Sequence, residues 1–408
     1  MRIAILCQYF HPEIGAPSAR LLSLARDFRA FGHEVVVITG FPNHPTGILP
    51  DKFKGLWTFE EDMEGVRVLR NWLYVTPNEG FVRKTISHLS FMVTAVILGA
   101  PRMGEIDVII VSSPSFFAVI SAWIISVFKR IPFVFEVRDL WPAVFVELGV
   151  LRNRLIIAAL ERLEMFLYAR SDAIVTVTRS FEESLLCRGL PKNKVTTITN
   201  GVVLDDFKPG EGNAALRREL QAEGKFIVLY MGAHGISQAL TAILRSAREL
   251  GAQKDILFLF VGEGAEKRKL EGLAREWSLR NVRFLGSQPR EAVLNFYRTA
   301  DVCLIPLRDI PLFDAFIPSK MFEIMSCERP IIGSVRGEPA SILEESGSCV
   351  VVPPEDSRAI SAAVLRLKGD PVMRHEMGAH GRQFVTKHYQ RRALAERYAG
   401  ILERVTRQ

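Results

Sequence analysis

Lys320 and Glu323 stand three residues apart in the stretch DAFIPSKMFEIMSCERPII, Asp314 to Ile332. Pro318 and Ser319 suit the first positions of a helix, and Met321, Phe322, Ile324 and Met325 supply its apolar contacts. Lys320 then falls in the first turn, where unsatisfied N–H groups already carry partial positive charge, so its ammonium opposes the helix dipole unless an anion joins it. The spacing permits a surface ion pair with Glu323, worth about 0.2–0.5 kcal/mol, but a lysine preceding its glutamate is the weaker orientation. The other reading is a phosphate held by Lys320, with Glu323 accepting hydrogen bonds from sugar hydroxyls.

Glycines recur where such a ligand would approach backbone. HPEIGAPSARLL places Gly15 between a first strand and a helix, and YMGAHG and FVGEGAEK place Gly232, Gly262, Glu263 and Gly264 at the ends of two later strands. A glycine at a strand-to-helix turn lets N–H groups come close to a phosphate, and the helix start adds its dipole. Each loop alone is equally compatible with a plain turn. Together with the lysine-bearing helix start they predict a diphosphate-containing ligand.

The elements that must position these residues repeat one plan. RIAILCQYF, SARLLSLARDFRAFG and HEVVVITG read as strand, helix, strand, and VRVLRNW, DVIIVSS, PFVFEVRD and DAIVTVT add further strands. After the turn-rich TNGVVLDDFKPGEGN a second series follows: FIVLYMG, ILFLFVG, VRFLG, VCLIPL, PIIGS and CVVVP. Unbroken apolar strands interleaved with amphipathic helices imply parallel sheets covered on both faces. The expectation is an α/β fold of two facing, Rossmann-like, doubly wound domains, 1–200 and 201–375, with ligands in the cleft at the C-terminal ends of their strands. Residues 376–408 read as a charged helical tail packing back toward the first domain.

Composition sets the outer bounds. With 408 residues, 48% of them hydrophobic and 24% charged, the chain has the balance of a folded protein of two domains. The net charge of +7 is mild and dispersed, which disfavours nucleic acid as a partner. Five scattered cysteines give neither a disulfide framework nor a metal-ligand spacing. The opening MRIAILCQYFHP is too short an apolar run for a signal peptide, and the expected compartment is the cytoplasm. TISHLSFMVTAVILGAP, Thr85 to Pro101, preceded by Arg83 and Lys84, is too short to span a bilayer and reads either as a core helix or as a helix lying on an anionic membrane surface, a contact covering 83–101.

Taken in order, YFHPEIGAPSARLL, VRDLWP at 137–142, TNGV, FVGEG, NVRFLG and IPSKMFEIMSCERPII resemble the family 4 glycosyltransferases of the two-domain GT-B type over nearly the full length. The subgroup the chain is most similar to is the WbuB-like enzymes of bacterial surface-polysaccharide assembly, which include N-acetylfucosamine transferases. The resemblance implies that Gly15 covers the donor diphosphate from the first domain while Ser319 and Lys320 hold it from the second. It implies that Glu323 binds the nucleotide ribose, and that Arg283 to Gly286, including Phe284, pass the nucleobase through backbone groups. It further implies retention of anomeric configuration without a metal or other cofactor.

Three departures from the family pattern bear on specificity. The first glutamate of the family's paired motif falls at Ala315, which points to a deoxy or N-acetylamino donor sugar. An arginine and a lysine that neutralise the diphosphate in many relatives are replaced by Ala233, His234 and Gln238, leaving more of that task to Lys320. Arg138 stands where relatives often carry a histidine; an arginine is no base, but it stabilises developing negative charge. Asp139 either handles the acceptor's proton and orientation or bonds local N–H groups at the strand end. Arg138, Asp139 and Lys320 are therefore the expected catalytic residues. The implied partners are a nucleotide-diphosphate sugar, most simply UDP-linked, and a saccharide or polyprenyl-diphosphate-linked acceptor at the cytoplasmic face of the inner membrane. A nucleotide-sugar epimerase of the same fold and a noncatalytic nucleotide-sugar-binding protein are the rival readings.

Overall fold

The computed structural model describes residues 1–407 apart from 14, 15, 45, 78–80, 114, 148 and 150. It divides into two compact units, one of Met1–Thr199 with the chain from Arg392 onward, the other of Asn200–Arg391.

The first unit is built on an eight-stranded sheet: β1 Arg2–Leu6, β2 Glu34–Gly40, β3 Thr58–Met63, β4 Val66–Asn71, β5 Val108–Ser112, β6 Phe133–Val137, β7 Ala173–Thr176 and β8 Val195–Thr197. Its order is β3-β4-β2-β1-β5-β6-β7-β8, parallel except where β3 runs against β4. The central strands are buried on both faces, as their apolar runs require. One face is covered by the helices Phe81–Thr94, Phe116–Lys129 and Arg154–Arg170, which bring Phe91, Phe116, Ala122 and Tyr168 onto Leu6, Val111 and Phe135. The other receives Ala16–Ala30 and the C-terminal helix Arg391–Thr406, whose Leu394, Tyr398 and Leu402 join Ile3, Ile5 and Phe28.

Two strands of this sheet escape the apolar pattern. β3, TFEEDM, is a charged edge strand turned back onto β4 through Glu64 and Gly65, both at positive φ, 56° and 78°. Its alternation suits a half-exposed antiparallel edge rather than a buried parallel strand. β8 has only three residues.

The second unit carries β9 Phe226–Met231, β10 Ile256–Val261, β11 Val282–Leu285, β12 Val302–Pro306, β13 Ile331–Ser334 and β14 Cys349–Val352, in the order β11-β10-β9-β12-β13-β14, with every pair parallel. Strand order reverses direction at β1/β5 in the first sheet and at β9/β12 in the second. Those are the places where a doubly wound sheet opens a crevice at its C-terminal edge.

A buried ion pair ties the first helix to the first sheet. Arg20 Nε donates to Glu136 Oε1 at 2.7 Å, with Glu136 fully buried on β6, and the same guanidinium donates to Thr199 O at 3.2 Å. Glu136 Oε2 has no partner of its own, so Arg20 is the main compensation for that charge. Arg20→Met is expected to lower the unfolding free energy by about 3–5 kcal/mol in urea titrations, and Arg20→Met with Glu136→Gln to recover a large part of it. Equal stability of the single variant and wild type would show Glu136 to be otherwise compensated.

Candidate active site

In the second unit the loops after β9 and β10 are pressed together at the sheet edge. Gly232 has φ +145°, and a Cβ there would lie 2.4 Å from Lys320 Nζ; Gly262 has φ +142°, and its Cβ would lie 1.9 Å from Gly232 O. Gly264 passes similarly close to His234 O. His234 N donates to Glu263 O at 2.8 Å and Glu266 N to His234 O at 2.9 Å, locking one loop to the next. The glycines are thus needed for close backbone packing around the lysine, where any side chain would intrude.

Lys320 opens the seven-residue helix Lys320–Ser326, and its side chain reaches back to β9. Nζ donates to Met231 O at 2.9 Å and to Tyr230 Oη at 3.3 Å, and lies 4.4 Å from the centre of the Tyr230 ring. Tyr230 Oη in turn donates to Ala233 O at 2.6 Å. Burial pulls the Lys320 ammonium down to about 8, against a smaller opposing effect of Glu323. The i,i+3 ion pair open to it in the sequence is not formed. Glu323 faces Arg290, Nη1 to Oε1 3.7 Å, and accepts from Tyr297 Oη at 3.3 Å. Burial raises the Glu323 carboxyl, and Arg290 offsets part of that rise. Ser319 Oγ accepts from Asn200 Nδ2 at 3.2 Å.

The neighbouring candidates take different places. Glu263 is exposed and accepts from Lys267 Nζ at 2.6 Å, while Lys267 also donates to Leu285 O at 3.1 Å. The Phe284 ring stacks on Phe260 at 4.9 Å, so its side chain belongs to the core and the edge of β11 offers backbone. Ala315 ends a short 3-10 turn, Pro311–Ala315, and Asp314 beside it is drawn to Arg336 at 3.6 Å. His234 does not replace the cations of the family pattern. Its ring is fully buried among Tyr230, Phe260 and Phe284, both nitrogens lack partners, and burial, with Lys267 second, holds it neutral with a pKa of about 4. Tyr230, which seats Lys320, carried no signal in the sequence beyond its place in an apolar strand.

In the first unit, Arg138 and Asp139 follow β6. Arg138 N donates to Ser113 Oγ at 2.8 Å, and Arg138 Nη1 is buried without a partner. Among the described residues no N–H donates to the Asp139 carboxylate, so the local capping role finds no bonds. Burial raises that carboxyl, with Arg138 pulling the other way. Gly15 lies outside the described residues. Glu13, absent from the sequence-level candidates, ties Phe10 to the turn after β2: Oε1 accepts from Asn43 N at 3.0 Å and His44 N at 2.9 Å, and Oε2 from Phe10 N at 3.2 Å.

The packing of the glycine loops has a direct consequence. Gly262→Ala is expected to cost about 1–3 kcal/mol of stability through its positive φ and its clash with Gly232 O, read as a lowered midpoint in urea titration. An unchanged midpoint would show that the loop yields to the added methyl without cost.

Two family models together span most of the chain. Residues 15–201 match the glycosyl transferase 4-like domain and residues 213–384 the glycosyl transferases group 1 domain. The chain is 25% identical to the putative colanic acid biosynthesis glycosyl transferase WcaI of Escherichia coli, over 89% of this chain and 91% of that protein. It is 24% identical to alpha-D-kanosaminyltransferase of Streptomyces kanamyceticus, over 58% and 61% of the two chains. Among solved structures, sucrose-phosphate synthase of Thermosynechococcus elongatus superimposes with a TM-score of 0.75 at 20% identity, covering 99% of this chain and 98% of that one. Anabaena HepE in complex with UDP and glucose superimposes with a TM-score of 0.74 at 16% identity, covering 99% of each chain.

Proposed function

The chain belongs to the family 4 glycosyltransferases, and from that premise we propose that it moves a sugar, with retention, from a UDP-linked donor to a saccharide or polyprenyl-diphosphate-linked saccharide in bacterial surface-polysaccharide assembly. One observation carries the donor half of this reading: a lysine ammonium at the C-terminal edge of a parallel sheet, beside two glycine loops, whose hydrogen-bond partners among the described residues are neutral oxygens and not a carboxylate. A diphosphate supplies the missing anion. The UDP and UDP-glucose complexes of the Anabaena protein support a uridine donor, and the colanic acid relative supports a surface polysaccharide as product. Ala315 offers no carboxylate to the sugar, which favours a deoxy or N-acetylamino donor.

In this mechanism the bond from anomeric carbon to phosphate oxygen lengthens as an acceptor hydroxyl attacks, and negative charge grows on the leaving diphosphate. Lys320 and the N–H groups of the glycine loops stabilise that charge in place, and preorganised donors of this kind contribute most where charge develops. Glu323, held by Arg290 and Tyr297, accepts from the ribose hydroxyls. Within the first unit Asp139, beside Arg138, orients the acceptor hydroxyl, and the acceptor proton passes to a diphosphate oxygen. No metal is assigned a part.

Lys320→Ala is expected to lower kcat/KM for the donor about 10²–10³-fold with the thermal midpoint held. Lys320 must be charged to bind the diphosphate, and its pKa in the free protein is lowered to about 8. Donor kcat/KM should therefore be full below that pH and fall as pH rises through it. In kcat the same limb should lie higher, because the bound anion restores the ammonium. A screen of nucleotide sugars for binding and slow hydrolysis identifies the donor, and wild-type activity in Lys320→Ala would remove the assignment.

The acceptor half places the protein at the cytoplasmic face of the membrane. The helix Phe81–Thr94 buries Phe91 while Val82, Ile86, Leu89 and Val93, with Ile97 beyond its end, are 37–69% exposed in one stripe. No described helix is long and apolar enough to cross a membrane. An exposed apolar stripe beside Arg83 and Lys84 fits a surface-lying contact with anionic lipid. Sedimentation with phosphatidylglycerol vesicles is expected to carry wild type down and to leave at least half of Ile86→Ser/Val93→Ser/Ile97→Ser in solution. Equal sedimentation of the two would assign the stripe another role.

A further inference from the structure

The C-terminal edge of the first sheet holds a polar cluster that the donor site does not use. Gln8, 2% exposed, follows β1. Its Oε1 accepts from Ser115 Oγ at 2.8 Å and from His88 Nδ1, and its Nε2 donates to Ser87 Oγ at 3.4 Å. His88 lies on the helix Phe81–Thr94, and its Nδ1 is also 3.1 Å from Ser115 Oγ. A carboxamide oxygen only accepts, so Nδ1 carries the imidazole proton and Nε2 presents a lone pair. Nε2 makes no hydrogen bond among the described residues.

Gln8, Ser87 and Ser115 are all buried, and a buried polar network built around one ring fixes that ring's tautomer and direction. Burial first, and Lys84 second, hold the imidazole neutral with a pKa of about 4, so the lone pair is free at ordinary pH. Lys84, one turn earlier on the same helix, is half-buried and has no anionic partner among the described residues. The cluster thus offers one fixed acceptor for a hydroxyl and one unpaired cation for an anion.

Resting on the glycosyltransferase reading above, we propose that His88 binds the acceptor saccharide, its Nε2 accepting a hydrogen bond from an acceptor hydroxyl while Lys84 faces the diphosphate that links that saccharide to its lipid. The step is binding alone; no proton need leave the hydroxyl at this site.

Two variants separate this role from a structural one. Asn places an amide nitrogen where Nδ1 stood and removes Nε2; Gln places an amide oxygen where Nε2 stood and removes the Nδ1 anchor. With farnesyl-diphosphate-linked N-acetylglucosamine as acceptor probe, His88→Asn is expected to lose about tenfold in acceptor kcat/KM, the net worth of one hydrogen bond, and His88→Gln to retain clearly more than His88→Asn. UDP affinity and slow donor hydrolysis should stay at wild-type level in both, which keeps a failure here distinct from a failure of the donor assignment. As a readout independent of turnover and of variant folding, the His88 Nε2 resonance of wild type should shift when the probe is added to the UDP-bound protein. The reverse order, with His88→Asn near wild type and His88→Gln impaired, would make His88 a structural anchor. An Nε2 resonance that does not move, or unimpaired transfer by both variants, would overturn the proposal.

Discussion

A lysine ammonium seated against the end of a parallel sheet, with no carboxylate bonded to it, is the constraint around which the second unit is organised. Among the described residues Lys320 meets the Met231 carbonyl, the Tyr230 hydroxyl and the Tyr230 ring. Taking a cation out of water without an opposite charge disfavours its charged form, which is why its pKa falls toward neutrality. The surrounding residues preserve this condition rather than relieve it. Glu323, the nearest candidate counterion by sequence, is turned to Arg290 and Tyr297, and His234 stays neutral in an aromatic pocket. Gly232 leaves the space in which Nζ sits, and Gly262 lets the next loop close over it. A doubly charged leaving group answers the electrostatic need of such a site, and the charge it gains during glycosyl transfer is what the site is best placed to stabilise.

The first unit shows the complementary situation. Among the described residues Arg138 keeps one buried N–H without a partner, Asp139 keeps its carboxylate without a donor, and the His88 imidazole is oriented by Gln8 and Ser115 with one nitrogen unbonded. Polar groups left short of partners at the C-terminal ends of β1, β5 and β6 suit a substrate rich in hydroxyls, which brings both donors and acceptors. Their structural support comes from elsewhere. The Arg20 to Glu136 pair anchors the first helix beneath them, and Glu13 gathers one N–H group of the β1 loop and two of the loop after β2.

Much of this was legible in the sequence because apolar runs and glycines report directly on buried parallel strands and close backbone turns. All the apolar strand segments, from RIAIL to CVVV, appear as strands. β3 was hidden because a charged antiparallel edge has no apolar run, and β8 because three residues are too few to show a period. Lys320 was legible from its conflict with the helix start. What it pairs with was not: Tyr230 reads as one more core aromatic until its hydroxyl is seen between Ala233 O and Nζ. The same holds for Gln8, Glu13 and His88, whose partners lie up to 107 positions away along the chain and leave no local pattern. The helix at 81–94 matched neither of the two sequence readings alone, since one face packs in the core and the other is an exposed apolar stripe.

The most direct test of the central claim follows the Lys320 ammonium itself. With the lysine side chains labelled with ¹⁵N, the Lys320 Nζ resonance can be titrated in the free protein and with saturating UDP. The account predicts a midpoint near 8 in the free protein that rises by at least about one pH unit when the nucleotide diphosphate binds, as an adjacent anion requires. A midpoint that UDP leaves unmoved would contradict it.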